Sequence, residues 1–446
     1  MEKQNNLYLY LVSITAATGG LLFGFDTGVI SGALPFISGH FALSAHMEGF
    51  VVSNLIIGCI IGALVSGSLS DKWGRKPLLI VSALLFILSA TFSALARTVY
   101  ELIAARFLGG LAVGAASVLS PMYISEIAPK NIRGALGSFQ QLAIVLGILV
   151  TYIANWLLQD TGANNWRYMF AAENIPALFF LAALFLIPES PRYLIKKGES
   201  ERAMKTLIKL HGNKQAPGEY KEIRESFSQV KVSLKEIFGK GKLVFISAIL
   251  LAFFSQVTGI DSIIYYAPKV LMLTGFDETS RAFLVSMLVP VVLLIFTGIA
   301  IYTVDKSGRR PLLMIGSLGM ACSFLLAGLA FSSASINGWL VLTGILLFIA
   351  FFAMSLGPIP WIYMSEIFPN NIRGTAVSIA TIVLWASNFL VGQFFPWMIE
   401  NLEGVSYFIF SGLCFLAFIF IFFMVRETKG LSLEEIEKFW GDKSKQ

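Results

Sequence analysis

The chain has 446 residues, 56% hydrophobic and only 13% charged, with 38 phenylalanines and a formal net charge of +6. A soluble domain carries roughly 45–50% apolar and about 25% charged residues, so one water-soluble core is excluded. The cations lie in short polar joints between apolar runs, which excludes a nucleic-acid-binding face and marks the cytoplasmic loops of a membrane protein.

A run of about 20 apolar residues is long enough to cross a bilayer as a helix. Twelve such spans are predicted. The first half holds 8–34, 48–70, 77–96, 100–122, 134–158 and 166–187; the second holds 243–273, 281–304, 311–332, 338–363, 374–398 and 404–425. The expected fold class is therefore all-α membrane, with twelve transmembrane helices in two six-helix halves. The expected domains are an N-terminal bundle (1–188), cytoplasmic linker helices (189–241), a C-terminal bundle (242–426) and a cytoplasmic tail (427–446). The first apolar run exceeds the 7–15 residues of a signal-peptide core, so it is predicted to be a retained span.

Orientation follows from the cations. Lys72, Arg75 and Lys76 follow the second span, Lys130 and Arg133 the fourth, Lys306, Arg309 and Arg310 the eighth, and Arg373 the tenth. The joints after spans one, five, nine and eleven carry almost none. This bias places both termini and the linker in the cytoplasm, with the chain in the lipid bilayer of the cell membrane.

The sequence repeats itself. "SEIAPKNIRGA" (125–135) returns as "SEIFPNNIRGT" (365–375), and "SDKWGRKPLL" (70–79) as "VDKSGRRPLL" (304–313), each about half a chain later. Duplicated helical halves commonly enclose a substrate site near the bilayer midplane and rock around it. The repeat therefore favours a transporter over a receptor or a membrane enzyme.

Asp26 stands in "GLLFGFDTGVI", where a carboxylate costs about 2.5–3.5 kcal/mol unless it finds a partner or a water-filled cavity. Arg106, in the apolar fourth span, is the expected partner. A paired arginine favours the ionised acid and burial the neutral one. An acid held between those pulls can gain and lose a proton, as proton coupling requires; a static salt bridge would use the same two residues. Glu173, in "MFAAENIPAL", is a second intramembrane acid that could relay protons, tune Asp26 or bond within the bundle.

The duplicated motifs put Asp71, Arg75, Glu126, Arg133, Glu189 and Arg192 at the inner edge of the first half, and Asp305, Arg309, Glu366 and Arg373 at that of the second. Charge-assisted bonds among them can lock a cytoplasmic gate. Gln141, Gln256, Asp261, Trp361, Trp385 and Asn388 form the candidate substrate set, beside Gly259 and Pro268, both expected to interrupt the seventh span, and the Gly/Pro-broken "LGPIPWIYM". Gln140 neighbours Gln141. Amides donate and accept at once, as a polyhydroxylated neutral solute demands.

Cys59, Cys322 and Cys414 are expected to be small buried hydrophobes, and His40, His46 and His211 lie in predicted loops. No Ser/His/Asp or metal-ligand spacing appears, so neither an enzyme, a cofactor nor a metal is expected.

These motifs, with "PESPR" (188–192), "SPMYISE", "GPIPW" and the closing "ETKGLSLEEIE", resemble the sugar porter family of the major facilitator superfamily over essentially the whole chain. The resemblance implies alternating access by a monomer and a proton-coupled pentose or hexose symporter. A facilitative sugar or polyol uniporter and a non-transporting sensor are the alternatives. It further implies that Asp26 is the proton site, Arg106 its partner and Glu173 a further coupling acid. Gln141, Gln256, Trp361 and Trp385 match sugar-contacting positions, and Asn388 falls in the same stretch as Trp385. The chain departs from the family at Ser255-Gln256 (paired glutamines), Asp261 (asparagine), Leu293 (asparagine), Leu384 (a polar residue) and Arg426 (proline).

Overall fold

Glycine pairs, prolines and an almost unbroken supply of apolar residues dictate the architecture. The computed structural model describes residues 3–129, 133–226, 242–276, 279–333, 336–368 and 373–429, and no strand occurs among them. In chain order the helices are α1 (Lys3–Phe41), α2 (Ala45–Trp73), α3 (Arg75–Leu95), α4 (Val99–Ile127), α5 (Arg133–Leu158), α6 (Asn165–Ala172), α7 (Asn174–Leu186), α8 (Pro191–Lys196), α9 (Ser200–His211) and α10 (Ala216–Ser226). They continue as α11 (Lys242–Val257), α12 (Ile260–Met272), α13 (Thr279–Ser286), α14 (Leu288–Ser307), α15 (Arg309–Phe331), α16 (Gly338–Met354), α17 (Ile359–Ile367), α18 (Arg373–Leu402) and α19 (Val405–Met424). Twelve stretches among the described residues are long and apolar enough to cross a membrane, and the chain is a multi-pass helical membrane protein. Large apolar side chains such as Phe179, Leu186 and Phe423 are exposed, as expected where lipid is the solvent and helices satisfy their own backbone.

The chain divides into two compact units, Met1–Phe41 with Asn54–Gln229, and Ala42–Ser53 with Val230–Gln446. In the first unit α1 packs on α5 and α4, and α3 on α4. Small residues let α2 and α4 approach: a Cβ on Gly110 would stand 1.9 Å from the Leu55 carbonyl oxygen. Such small-residue contacts replace the hydrophobic drive that lipid removes. The linker helices α8–α10 also belong to this unit. Buried His211 anchors them, its Nε2 lying 2.7 Å from the Ile127 carbonyl oxygen at the end of α4 while Nδ1 meets Glu219. In the second unit α15 packs on α16 and α19, and α11 on α18.

Several elements differ from the expectation. The first span runs unbroken to Phe41, with Pro35 inside it. The sixth and eighth spans are each interrupted, at Glu173 and Met287. Pro176 and Pro290 lie three residues beyond these points and supply no N–H for the preceding turn. Gly259, at φ 99°, breaks the seventh span as predicted, whereas Pro268 sits within α12 without ending it. Cys59 and Cys414 are buried but Cys322 is exposed, its helix turning that face outward. His211 closes a helix rather than lying in a loop. Residues 227–241 of the predicted linker and the tail from 430 lie outside the described residues.

Candidate functional site

In the first unit α1 carries Asp26 against Arg106 of α4. The Arg106 Nη1 to Asp26 Oδ1 distance is 3.3 Å, and the two side chains are only 2% and 3% exposed. A close guanidinium–carboxylate pair sits at 2.7–2.9 Å, so this contact is long. Asp26 Oδ2 is buried with no hydrogen-bond partner. A Cβ on Gly109 would stand 2.5 Å from that oxygen and 2.6 Å from Ser89 Oγ. Only glycine at 109 leaves the carboxylate room to lie against α4. The Phe170 ring stands 5.8 Å from the Arg106 guanidinium carbon. Glu173, at the break between α6 and α7, is 1% exposed, and its Oε1 has no hydrogen-bond partner. Sequence reasoning predicted all three charged residues; Gly109 and Ser89 it missed. The unit thus holds two buried carboxyls and one arginine, a set in which one added proton changes the charge balance.

In the second unit the break at Gly259 starts α12 so that Asp261 falls in its first turn. Asn388 of α18 donates both amide hydrogens to neighbouring acceptors: Nδ2 lies 2.8 Å from Asp261 Oδ2 and 3.1 Å from Gln256 Oε1. The Tyr265 hydroxyl donates to Asn388 Oδ1 at 3.3 Å. Asp261 and Asn388 are buried and Gln256 is partly exposed. Three predicted residues therefore form one bonded cluster. Trp385 lies one helical turn before Asn388, buried, while Trp361 on α17 is 43% exposed. Gln141 is partly buried on α5 of the first unit. Its neighbour Gln140 is buried against Gly20 with both amide ends unbonded.

The duplicated motifs build the same network once in each unit. Arg75 Nη2 lies 2.9 Å from Glu126 Oε1, and Arg309 Nη2 lies 2.8 Å from Glu366 Oε1. Asp71 joins the first network through Arg75 at 3.1 Å and Lys196 at 2.9 Å. Glycines at positive φ, Gly74 (106°) and Gly308 (89°), open α3 and α15. Their first N–H groups then face a carboxylate, a favourable place for an anion. Glu189 accepts from Arg75 N at 3.1 Å and Lys76 N at 3.3 Å; Glu427 accepts from Arg309 N and Arg310 N, each at 3.0 Å. The next hydroxyl closes each ring, Ser190 onto Glu126 and Thr428 onto Glu366. Desolvation pushes Glu189 above the usual glutamate range despite its N–H donors. Desolvation pushes Glu427 up as well, but the N–H groups of Arg309, Lys429, Arg310 and Thr428 outweigh it and hold the carboxyl below that range.

Glu427, Ser190 and Thr428 were absent from the predicted gate set, although "PES" and "RET" at the ends of the two halves carry the signal. Arg192 is exposed. The side chains of Arg133, Asp305 and Arg373 lie outside the described residues. A cavity of about 670 Å³ along α3 and α4, lined by Asn54, Phe92, Leu95, Tyr100 and Glu101 among others, contains none of the predicted site residues. Among the described residues no three potential metal ligands cluster.

Comparison with known proteins bears directly on this arrangement. A family model described as "Sugar (and other) transporter" matches residues 12–440. The chain is 43% identical over 443 residues to the arabinose-proton symporter of Bacillus subtilis, covering 97% of this chain and 95% of that protein. It is 39% identical over 482 residues to the D-xylose-proton symporter of Escherichia coli, covering 99% and 98%. The inward-open structure of the xylose transporter XylE from E. coli matches with a TM-score of 0.87 at 40% identity, covering 97% of this chain and all of that one.

Proposed function

Because the chain belongs to the sugar transporter family and has the major facilitator fold, we propose that it is a proton-coupled symporter of a pentose or hexose, working by alternating access. The relatives are named for arabinose and D-xylose carried with protons. The observation that carries the reading is the buried Asp26–Arg106 pair, with one carboxylate oxygen unpartnered.

Asp26 is the proton site in this reading, Arg106 the counter-charge that stabilises its ionised form, and Glu173 an acid whose charge responds to both. Gln141, Gln256, Asp261, Trp361 and Trp385 contact the sugar, and Asn388 holds Gln256 and Asp261 in place. The two inner networks, Asp71–Arg75–Glu126–Glu189 and Arg309–Glu366–Glu427, hold the cytoplasmic gate, with Arg133, Arg192, Asp305 and Arg373 as further members. The protein works as a monomer in the cell membrane with both termini in the cytoplasm.

The test is sugar uptake by proteoliposomes with and without an inward proton gradient. Arabinose or xylose accumulating above the outside concentration only when the gradient is present supports symport. Uptake that ignores the gradient rejects it.

A further inference from the structure

Asp261 differs from three other buried acids in what it meets. Asp26 pairs with Arg106, Glu126 with Arg75, and Glu48 with Lys269. Asp261 is just as buried, at 6% exposure, yet among the described residues it makes no ion pair. Its neighbours are neutral: the Asn388 amide at 2.8 Å and the Tyr265 hydroxyl, which is shared with the Asn388 oxygen, while the Gln256 carbonyl oxygen takes the other amide hydrogen.

The hydrogen-bond inventory of this corner is one-sided. Asn388 has two amide hydrogens, and both are given to protein acceptors. Its own oxygen is occupied by Tyr265. Asn388 therefore has no donor left for a ligand and acts as a positioning residue. What the cluster presents is acceptor capacity, concentrated on a carboxylate that can take up to four hydrogen bonds. A buried carboxylate that lacks a counter-charge is costly, and the cost falls when a cation arrives with good geometry. Gln256 beside it is only partly buried, so the cluster is not sealed.

We propose that Asp261 is a specificity-determining residue for a sugar bearing a protonated amino group, with the ammonium as the missing counter-charge. This rests on the reading of the chain as a sugar symporter and names the class of sugar its site prefers. Neutral sugars still bind through their hydroxyls. A hydroxyl can also donate to the carboxylate, but an ammonium adds the opposite charge and makes the contact an ion pair.

The experiment measures binding to the purified full-length protein by isothermal titration at pH 7, comparing D-glucosamine and D-galactosamine with D-glucose and D-galactose and with the N-acetylated amines. The expected result is amines bound roughly tenfold more tightly than their neutral parents, the increment of adding the opposite charge to that contact, with N-acetylation removing the gain. Asp261→Asn abolishes the ratio and Asp261→Glu, which keeps the charge, retains it. Should Asp261→Asn fail to fold, the wild-type ratio and the Asp261→Glu ratio still decide. Amines bound no better than neutral sugars, or a preference that survives Asp261→Asn, overturn the proposal. So does neutral-sugar binding that follows pH through Asp261 without favouring amines, since the carboxyl then takes a proton instead. If neutral sugars bind and amines are not preferred, or if only arabinose or xylose binds and none of these hexoses or amines does, only this proposal fails; if the pentoses fail to bind as well, the transport reading falls with it.

Discussion

Arg106 Nη1 reaches Asp26 Oδ1 at 3.3 Å, while Asp26 Oδ2, buried 2.5 Å from where a Gly109 Cβ would stand, has no hydrogen-bond partner. One oxygen is held by charge and the other is kept open by the absence of a side chain. Removing one member of a buried pair leaves an uncompensated charge, which costs about 3–5 kcal/mol. Arg106→Leu should therefore lower the unfolding temperature more than the double variant Asp26→Asn/Arg106→Leu, which buries no lone charge. Thermal unfolding in detergent checks this. A double variant less stable than Arg106→Leu alone would contradict the pairing.

Gly109→Ala places a methyl group within 2.6 Å of both Asp26 Oδ2 and Ser89 Oγ. One of the two must shift, and overpacking of this kind typically costs about 1–3 kcal/mol. Proton-driven accumulation should fall several-fold while sugar counterflow, which needs no net proton movement, is retained. Parallel accumulation and counterflow assays read the difference. An equal loss in both would assign Gly109 to packing alone.

The twin networks give opposite pH signs. Glu427 is held below its usual 4.5, so its stabilisation is present above pH 4.5 and is lost as pH falls through the lower folded value. Wild type should be more stable than Glu427→Gln at neutral pH, and that difference should vanish in acid. Glu189 is raised above 4.5, so the folded state holds that proton more tightly than the unfolded chain. Its contribution is favourable at low pH and falls as pH rises from 4.5 through the raised value. Unfolding temperatures of the two Gln variants between pH 2 and 8 measure both signs.

Lys269 donates to Glu48 and, at 3.0 Å, to Glu400. Glu48 is nearly buried, with its side chain 7% exposed, and lies in Ala42–Ser53, which clusters with the second unit. Lys269→Met strands that carboxylate, and a loss of about 3 kcal/mol is expected. Adding Glu48→Gln should restore most of it. Chemical denaturation or thermal shift reads the result.

Most of the fold was legible because lipid imposes a simple rule: each span must be long, apolar and self-bonded. Asp26 and Arg106 were found the same way, since charge inside an apolar run demands a partner. Pairing across the repeat held too, with Glu126 on Arg75 and Glu366 on Arg309. Glu427 escaped because "RET" (426–428) shares only its acid and following hydroxyl with "PES" (188–190), too short a match to show as a repeat. The interruptions at Glu173 and Met287 escaped because Pro176 and Pro290 act a turn away from where they sit. Asn388 was expected among the substrate residues; that its two donors go to Asp261 and Gln256 is a matter of geometry that composition does not encode.

The central claim is that Asp26 carries the proton that drives the sugar. Sugar-induced proton movement, followed with a pH dye inside proteoliposomes holding either wild type or Asp26→Asn, tests it most directly. The account predicts that adding sugar outside acidifies the wild-type lumen and leaves the Asp26→Asn lumen unchanged, although both still exchange sugar. Equal acidification in the two would contradict it.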